Sequence, residues 1–106
     1  MSSKNIDLTD ESIEPLDRFI GGNFHQDWSM DYDSEQAVVA AYRQAGGSLA
    51  VNEVVKSIDF VLEGNLTEHE LKQLLYHMGL GIEIGVDESP SSWLRGVREN
   101  LLGIGL

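Results

Sequence analysis

The residues with the clearest chemical potential stand close together near the start of the chain. His25 and Asp27 lie inside Asn23-Phe24-His25-Gln26-Asp27-Trp28, and Asp31, Asp33 and Glu35 follow at alternate positions. A histidine beside a carboxylate can serve general acid–base chemistry or bind a metal. Neither set is completed. Zinc needs three or four ligands, and the other histidines, His69 and His77, stand about two helical turns apart, too far to share one ion. The alternate acids match the first half of a calcium loop. The position of its required glycine is held by Gln36, and that of its final glutamate by Tyr42. No serine sits in Gly-x-Ser-x-Gly, and no glycine-rich phosphate loop opens a helix. Gly79-x-Gly81 follows a helical stretch and reads as a C-cap. The chain is therefore expected to be no enzyme, with no catalytic set, no metal and no cofactor.

The same stretch has a second possible use. Phe24 and Trp28 are spaced so that both rings can point inward from one turn. Phe24, His25, Gln26, Asp27 and Trp28 then form a structural motif, with the His25 ring held by a carboxylate or a backbone carbonyl. The alternative is that Asp27 and its neighbours touch a partner. Tyr32 between Asp31 and Asp33 is equally open. Acids before a helix complement its dipole, and a tyrosine among aspartates also suits an interface for a basic protein.

Glycine punctuation and apolar spacing define the elements that position these groups. Residues 1–9 read as loose. A first helix is expected from near Ser12, with Ile13, Leu16, Phe19 and Ile20 on one face and Gly21-Gly22 ending it. A second is expected over residues 35–45, capped by Asp33 or Ser34, with Val38, Ala41, Tyr42 and Ala45 inward. Gly46-Gly47 stops it. Ser48 then caps a third, to about Glu63, along Val51, Val54, Val55, Ile58, Val61 and Leu62. Thr67-x-x-Glu70 is a capping box, with Leu66 and Leu71 at the staple positions. Leu71, Leu74, Leu75 and Met78 face inward from that helix. Residues 80–88 read as a loop. Ser89-Pro90 opens a last helix with Trp93, Leu94, Val97 and Leu101 on its apolar side, and residues 102–106 are expected to fray or to be tied down by burial. The fold class is all-α, a compact bundle of five to six helices forming a single domain over residues 1–106.

Bulk properties narrow the function classes. The chain has 106 residues and is 42% hydrophobic, enough for one domain with a core. It has no cysteine, which excludes a disulfide framework. The polar start lacks the apolar stretch of a signal peptide, and no apolar run approaches the ~20 residues that span a bilayer. A cytoplasmic protein without a membrane role is expected. Eighteen acidic residues face seven basic ones, for a formal net charge of −11. Nine of the acids fall in residues 1–45 and nine in residues 46–106, so the whole surface is acidic rather than one tail. Such a surface repels nucleic acid, so no direct nucleic acid binding is expected, and it steers a basic partner inward.

Phe24-His25-Gln26-Asp27-Trp28, with Asp31, Asp33 and Glu35 before Ala37-Val38, resembles the immunity proteins of bacterial contact-dependent growth inhibition systems, in a subgroup that carries Phe-His-Gln-Asp-Trp. Leu80-Gly81 and Ser92-Trp93-Leu94 match the later part of that pattern. The resemblance spans roughly residues 16–101. The chain departs from it in the loop, with Ile82-Glu83-Ile84 where relatives often carry a cysteine and an aromatic. The resemblance implies a cytoplasmic, helical, non-catalytic inhibitor of a cognate C-terminal toxin domain, a basic nuclease acting on RNA. The candidate toxin-binding residues are Asp27, Asp31, Tyr32, Asp33 and Glu35, with Glu83, Asp87 and Glu88 from the loop. A small acidic carrier or adaptor protein is the alternative. Its modified serine is typically followed by leucine, whereas Asp33-Ser34 is followed by Glu35.

Overall fold

Five helices account for the regular structure among the described residues of a computed structural model, which are residues 11–82, 84 and 88–103. They are α1 (Glu14–Asn23), α2 (Trp28–Asp31), α3 (Glu35–Leu62), α4 (Glu68–His77) and α5 (Pro90–Leu102). The chain is all-α, as its apolar periodicity indicates. The expectations for residues 1–9 and 104–106 lie outside the described residues. The long α3 packs against α5 and α1, and α4 packs against α5.

Helix α1 has no cap of its own. Its N-cap residue is Ile13, which is buried and makes no side-chain capping bond. The missing cap comes from α3. The Ser57 hydroxyl accepts from the Leu16 amide at 3.3 Å and donates to the Ser12 carbonyl at 2.7 Å. Ser57 is the one buried polar side chain among the described residues, and both bonds satisfy backbone groups at the helix start.

The expected stop at Gly21-Gly22 is corrected. Helix α1 runs through both glycines to Asn23, whose side-chain amide donates back to the Phe19 carbonyl at 2.9 Å. Gly21 serves close packing instead. A Cβ there would lie 3.1 Å from the Met78 carbonyl oxygen, just past the end of α4.

Gly46-Gly47 behaves differently. Two separate helices were expected, but α3 continues across the pair with a kink at Gly47, where φ is 71° and ψ is −174°. This conformation is open to glycine and strained for other residues. The break is real, yet no loop follows it. Ser48 forms no side-chain hydrogen bond among the described residues, so it does not cap the second limb. In the first limb Val38 and Val39 are buried, Tyr42 packs at the core edge, and Ala45 is exposed with the rest of residues 43–49. The second limb buries Val51, Val54, Val55, Ile58 and Val61 as its spacing predicts.

Local signals hold at the later helices. Ser34 caps α3 by accepting from the Ala37 amide at 3.1 Å. The Thr67–Glu70 capping box of α4 is complete in both directions. Helix α5 has Pro90 at its start, a Ser89 cap and a left-handed Gly103 at its end. Glu68 joins the starts of α4 and α5: its carboxylate accepts from the Ser91 amide at 3.0 Å and the Ser91 hydroxyl at 2.7 Å. These two bonds, the amide first, hold the Glu68 carboxyl below its ordinary pKa. Arg98 of α5 pairs with Asp59 of α3 at 2.7 Å, a half-exposed contact worth about 0–1 kcal/mol.

Replacing Ser57 with alanine leaves the Leu16 amide buried without its acceptor. The expected cost is about 1–3 kcal/mol, read as a lower urea midpoint at unchanged slope. An unchanged midpoint would show that the α1 start is satisfied without Ser57.

Candidate functional site

Phe24 is the centre of the aromatic core. Its ring meets Phe19 of α1 at 5.6 Å, Trp28 of α2 at 6.2 Å and Trp93 of α5 at 5.7 Å between centroids. The contacts with Phe19 and Trp93 are edge-on, the favoured arrangement for aromatic pairs. Phe24 is fully buried, and Trp28 is half-buried against the same cluster. The expected inward pairing of these two residues is therefore present.

The backbone of this turn is fixed from outside. The Gly81 amide donates to the Phe24 carbonyl at 2.6 Å. A Cβ on Gly81 would lie 2.5 Å from the Gln26 Cα and 2.6 Å from the His25 carbonyl carbon. Two backbones thus touch at a place where no side chain fits. The Trp28 amide donates to the His25 carbonyl at 3.0 Å, which tightens the turn into α2.

The His25 ring is held in a way that corrects the expectation. Its Nδ1 accepts from the Asp27 amide at 3.1 Å, so the partner is a backbone N–H rather than a carbonyl or carboxylate. This bond requires an unprotonated Nδ1 and leaves the proton of the neutral ring on Nε2. Gln26 and Asp27 are exposed beside it.

The candidate acids separate into two groups. Glu35 is half-buried, and its carboxylate accepts from the Trp93 indole N–H at 2.9 Å. That bond ties the start of α3 to α5. Asp27, Asp31 and Asp33 are exposed along α2 and the turn that follows, and Tyr32 is half-buried against the core. Among the described residues the ion pairs are Arg18–Glu14 and Arg98–Asp59, and neither involves these three aspartates. Glu88 is exposed ahead of α5. Glu83 and Asp87 lie outside the described residues.

The sequence around these aspartates is one-signed. No lysine or arginine occurs between Arg18 and Arg43, or between Lys72 and Arg95. The Gly81–Phe24 and Trp93–Glu35 bonds bring these two cation-free stretches together. One residue escaped the sequence reading. Met30 is 82% exposed on α2. Its position two residues after the inward-facing Trp28 is the available signal, because such spacing crosses to the opposite side of a helical turn.

Among the described residues, no three histidine, cysteine, aspartate or glutamate side chains are grouped to hold a metal ion. An open cleft of about 530 Å³ beside the Gly47 kink is lined by Arg43, Gln44, Asn52 and Leu102 among others, with no carboxylate or histidine.

Gly81→Ala is expected to cost about 1–3 kcal/mol, because its Cβ would drive two backbones apart. Gly22→Ala, with open space around it, provides the control and should not destabilise. Equal thermal midpoints for the two variants would refute the close contact. Separately, Glu35→Gln keeps an acceptor for Trp93 and should leave tryptophan fluorescence and stability near the parent values. Glu35→Ala should lose about 1–2 kcal/mol and alter the emission. If glutamine is as disruptive as alanine, the carboxylate charge matters more than the hydrogen bond.

A family model described as CdiI immunity protein matches residues 12–101, from the residue whose carbonyl Ser57 holds to the last buried leucine of α5. No curated protein and no solved structure matches the chain.

Proposed function

The chain belongs to the CdiI immunity protein family, whose members bind a cognate toxin, and on that premise we propose that it neutralises its toxin by non-catalytic binding through the anionic face around α2. The proposed partner is the C-terminal toxin domain of a contact-dependent growth inhibition system, a basic nuclease acting on RNA. The proposed place of action is the cytoplasm. No described helix is long and apolar enough to cross a membrane. We also assign the chain to the subgroup carrying the Phe-His-Gln-Asp-Trp motif, on residues 24–28.

The observation that carries this reading is the single-signed face. A nuclease must present cations where substrate phosphates bind. A face with Asp27, Asp31 and Asp33 exposed and no cation across residues 19–42 is complementary to that surface. A formal net charge of −11 extends the attraction beyond the contact, so that inhibitor reaches toxin before RNA does. Glu35 contributes to this face through its bond to Trp93, which fixes the segment bearing the free aspartates. Glu83, Asp87 and Glu88 of the loop are proposed as a second group of contacts and as the place where specificity between relatives differs.

The test uses the protein encoded immediately upstream in the source genome. Its last ~150–250 residues, a domain-sized piece, are expressed and titrated with this chain by calorimetry. Tight one-to-one binding is expected, together with suppression of toxin cleavage of tRNA or rRNA. A toxin that stays fully active when saturated with this chain would end the reading. Association should slow by roughly tenfold or more between low and high salt. Replacing Asp27, Asp31 and Asp33 together by lysine should cut the association rate about ten- to a hundredfold while the thermal midpoint changes little. Unchanged association in that variant would move the interface to another face.

A further inference from the structure

The surface carries four features besides its acids that could meet a partner. The cleft at the Gly47 kink is open, with Val51, Leu101 and Leu102 in its wall, and nothing beside it indicates an occupant. The Arg95–Arg98 notch is already engaged, because Arg98 is paired with Asp59. Leu49 is 75% exposed within α3 beside the kink, and no acidic residue stands within three positions of it. Met30 is the most exposed large hydrophobic side chain among the described residues, at 82%, and its setting is different.

Helix α2 has only four residues, yet it is fixed at both ends. Before it, the Phe24 carbonyl is bound by the Gly81 amide, and the His25 carbonyl is bound by the Trp28 amide. After it, the Tyr32 amide closes on the Trp28 carbonyl at 3.1 Å, and Ser34 caps the next helix. Trp28 and Tyr32 on either side of Met30 both pack against the core. Met30 is therefore carried outward on a backbone that has already lost its freedom. An apolar group presented this way loses little further backbone entropy on docking, and only its side-chain rotamers remain to be ordered.

Its neighbours define what it can dock into. Asp27, Asp31 and Asp33, each within three residues of it, are exposed, with no ion-pair partner among the described residues. An apolar residue with a charged rim has the arrangement of an interface anchor, where the rim excludes water and the centre carries the energy. Single exposed hydrophobics are ordinary on protein surfaces. The one-signed rim separates Met30 from Leu49.

We propose that Met30 is the apolar anchor of the toxin interface, entering a socket on the toxin that is lined by apolar side chains and ringed by lysine and arginine. The inference rests on the proposed immunity function and deepens it: the acids around α2 set the rate of encounter, and Met30 sets the lifetime of the complex. The socket takes an unbranched, polarizable side chain, which fills irregular apolar gaps well.

The experiment measures association and dissociation rates for the same upstream-encoded toxin domain against the parent chain, Met30→Ala and Leu49→Ala. Far-ultraviolet circular dichroism and thermal midpoints check that all three fold alike. Met30→Ala should raise Kd at least tenfold, chiefly through faster dissociation, with the salt dependence of association unchanged. Leu49→Ala should bind as the parent does. Tight binding by the parent with an unchanged lifetime for Met30→Ala overturns this inference and leaves the immunity function standing. No binding by the parent overturns both. A dimer of this chain that Met30→Ala dissolves would assign the face to a second copy, and that also overturns the inference.

Discussion

The hydrogen bond from the Gly81 amide to the Phe24 carbonyl, at 2.6 Å, is the constraint on which the rest of the structure depends. It joins chain segments far apart in sequence at a point where only a glycine fits. Phe24 then places its ring among aromatics from α1, α2 and α5, so one residue is anchored through both backbone and side chain. Trp93 passes the constraint on through its indole N–H to Glu35 at the start of α3. Every helix that bears on the acidic face is tied to this junction, directly or through one intermediate.

In so acidic a chain, the division of labour among carboxylates matters more than their number. Glu35 binds an indole, Glu68 binds Ser91, Glu70 completes a capping box, and Asp59 and Glu14 pair with arginines. These groups are satisfied within the fold. Asp27, Asp31 and Asp33 are left facing water along the shortest helix. Like charges held close together destabilise a folded chain. Among the described residues none of these three has an ion-pair partner.

Most of the architecture was legible because its signals are local. The capping box, the Pro90 start of α5 and the apolar stripes of α4 and α5 each lie within a few residues of what they specify. Glycine pairs were less legible, because one residue type answers three different needs. Gly21 permits close approach to the Met78 carbonyl, Gly47 adopts a backbone conformation that favours glycine, and Gly81 lets two backbones touch. A sequence shows the pair and not the neighbour. The same limit hid the role of Ser57, whose partners are more than forty residues away, and of Glu35, whose partner Trp93 is further still. Within the candidate site, the aromatic motif and the exposed aspartates could be read directly. The engagement of Glu35 and the outward aim of Met30 required the packed core.

The Ser57 arrangement has a consequence for how the molecule assembles. Helix α1 is short, and its start signal is stored on another helix. A ten-residue segment without its own cap has little helicity in water. Helix α4, with its complete capping box, carries its own instructions. Closing the first turn of α1 thus draws on its contact with α3, a dependence of an early segment on a later one. During synthesis from the N-terminus, α1 must wait for α3 to emerge before its first turn is closed.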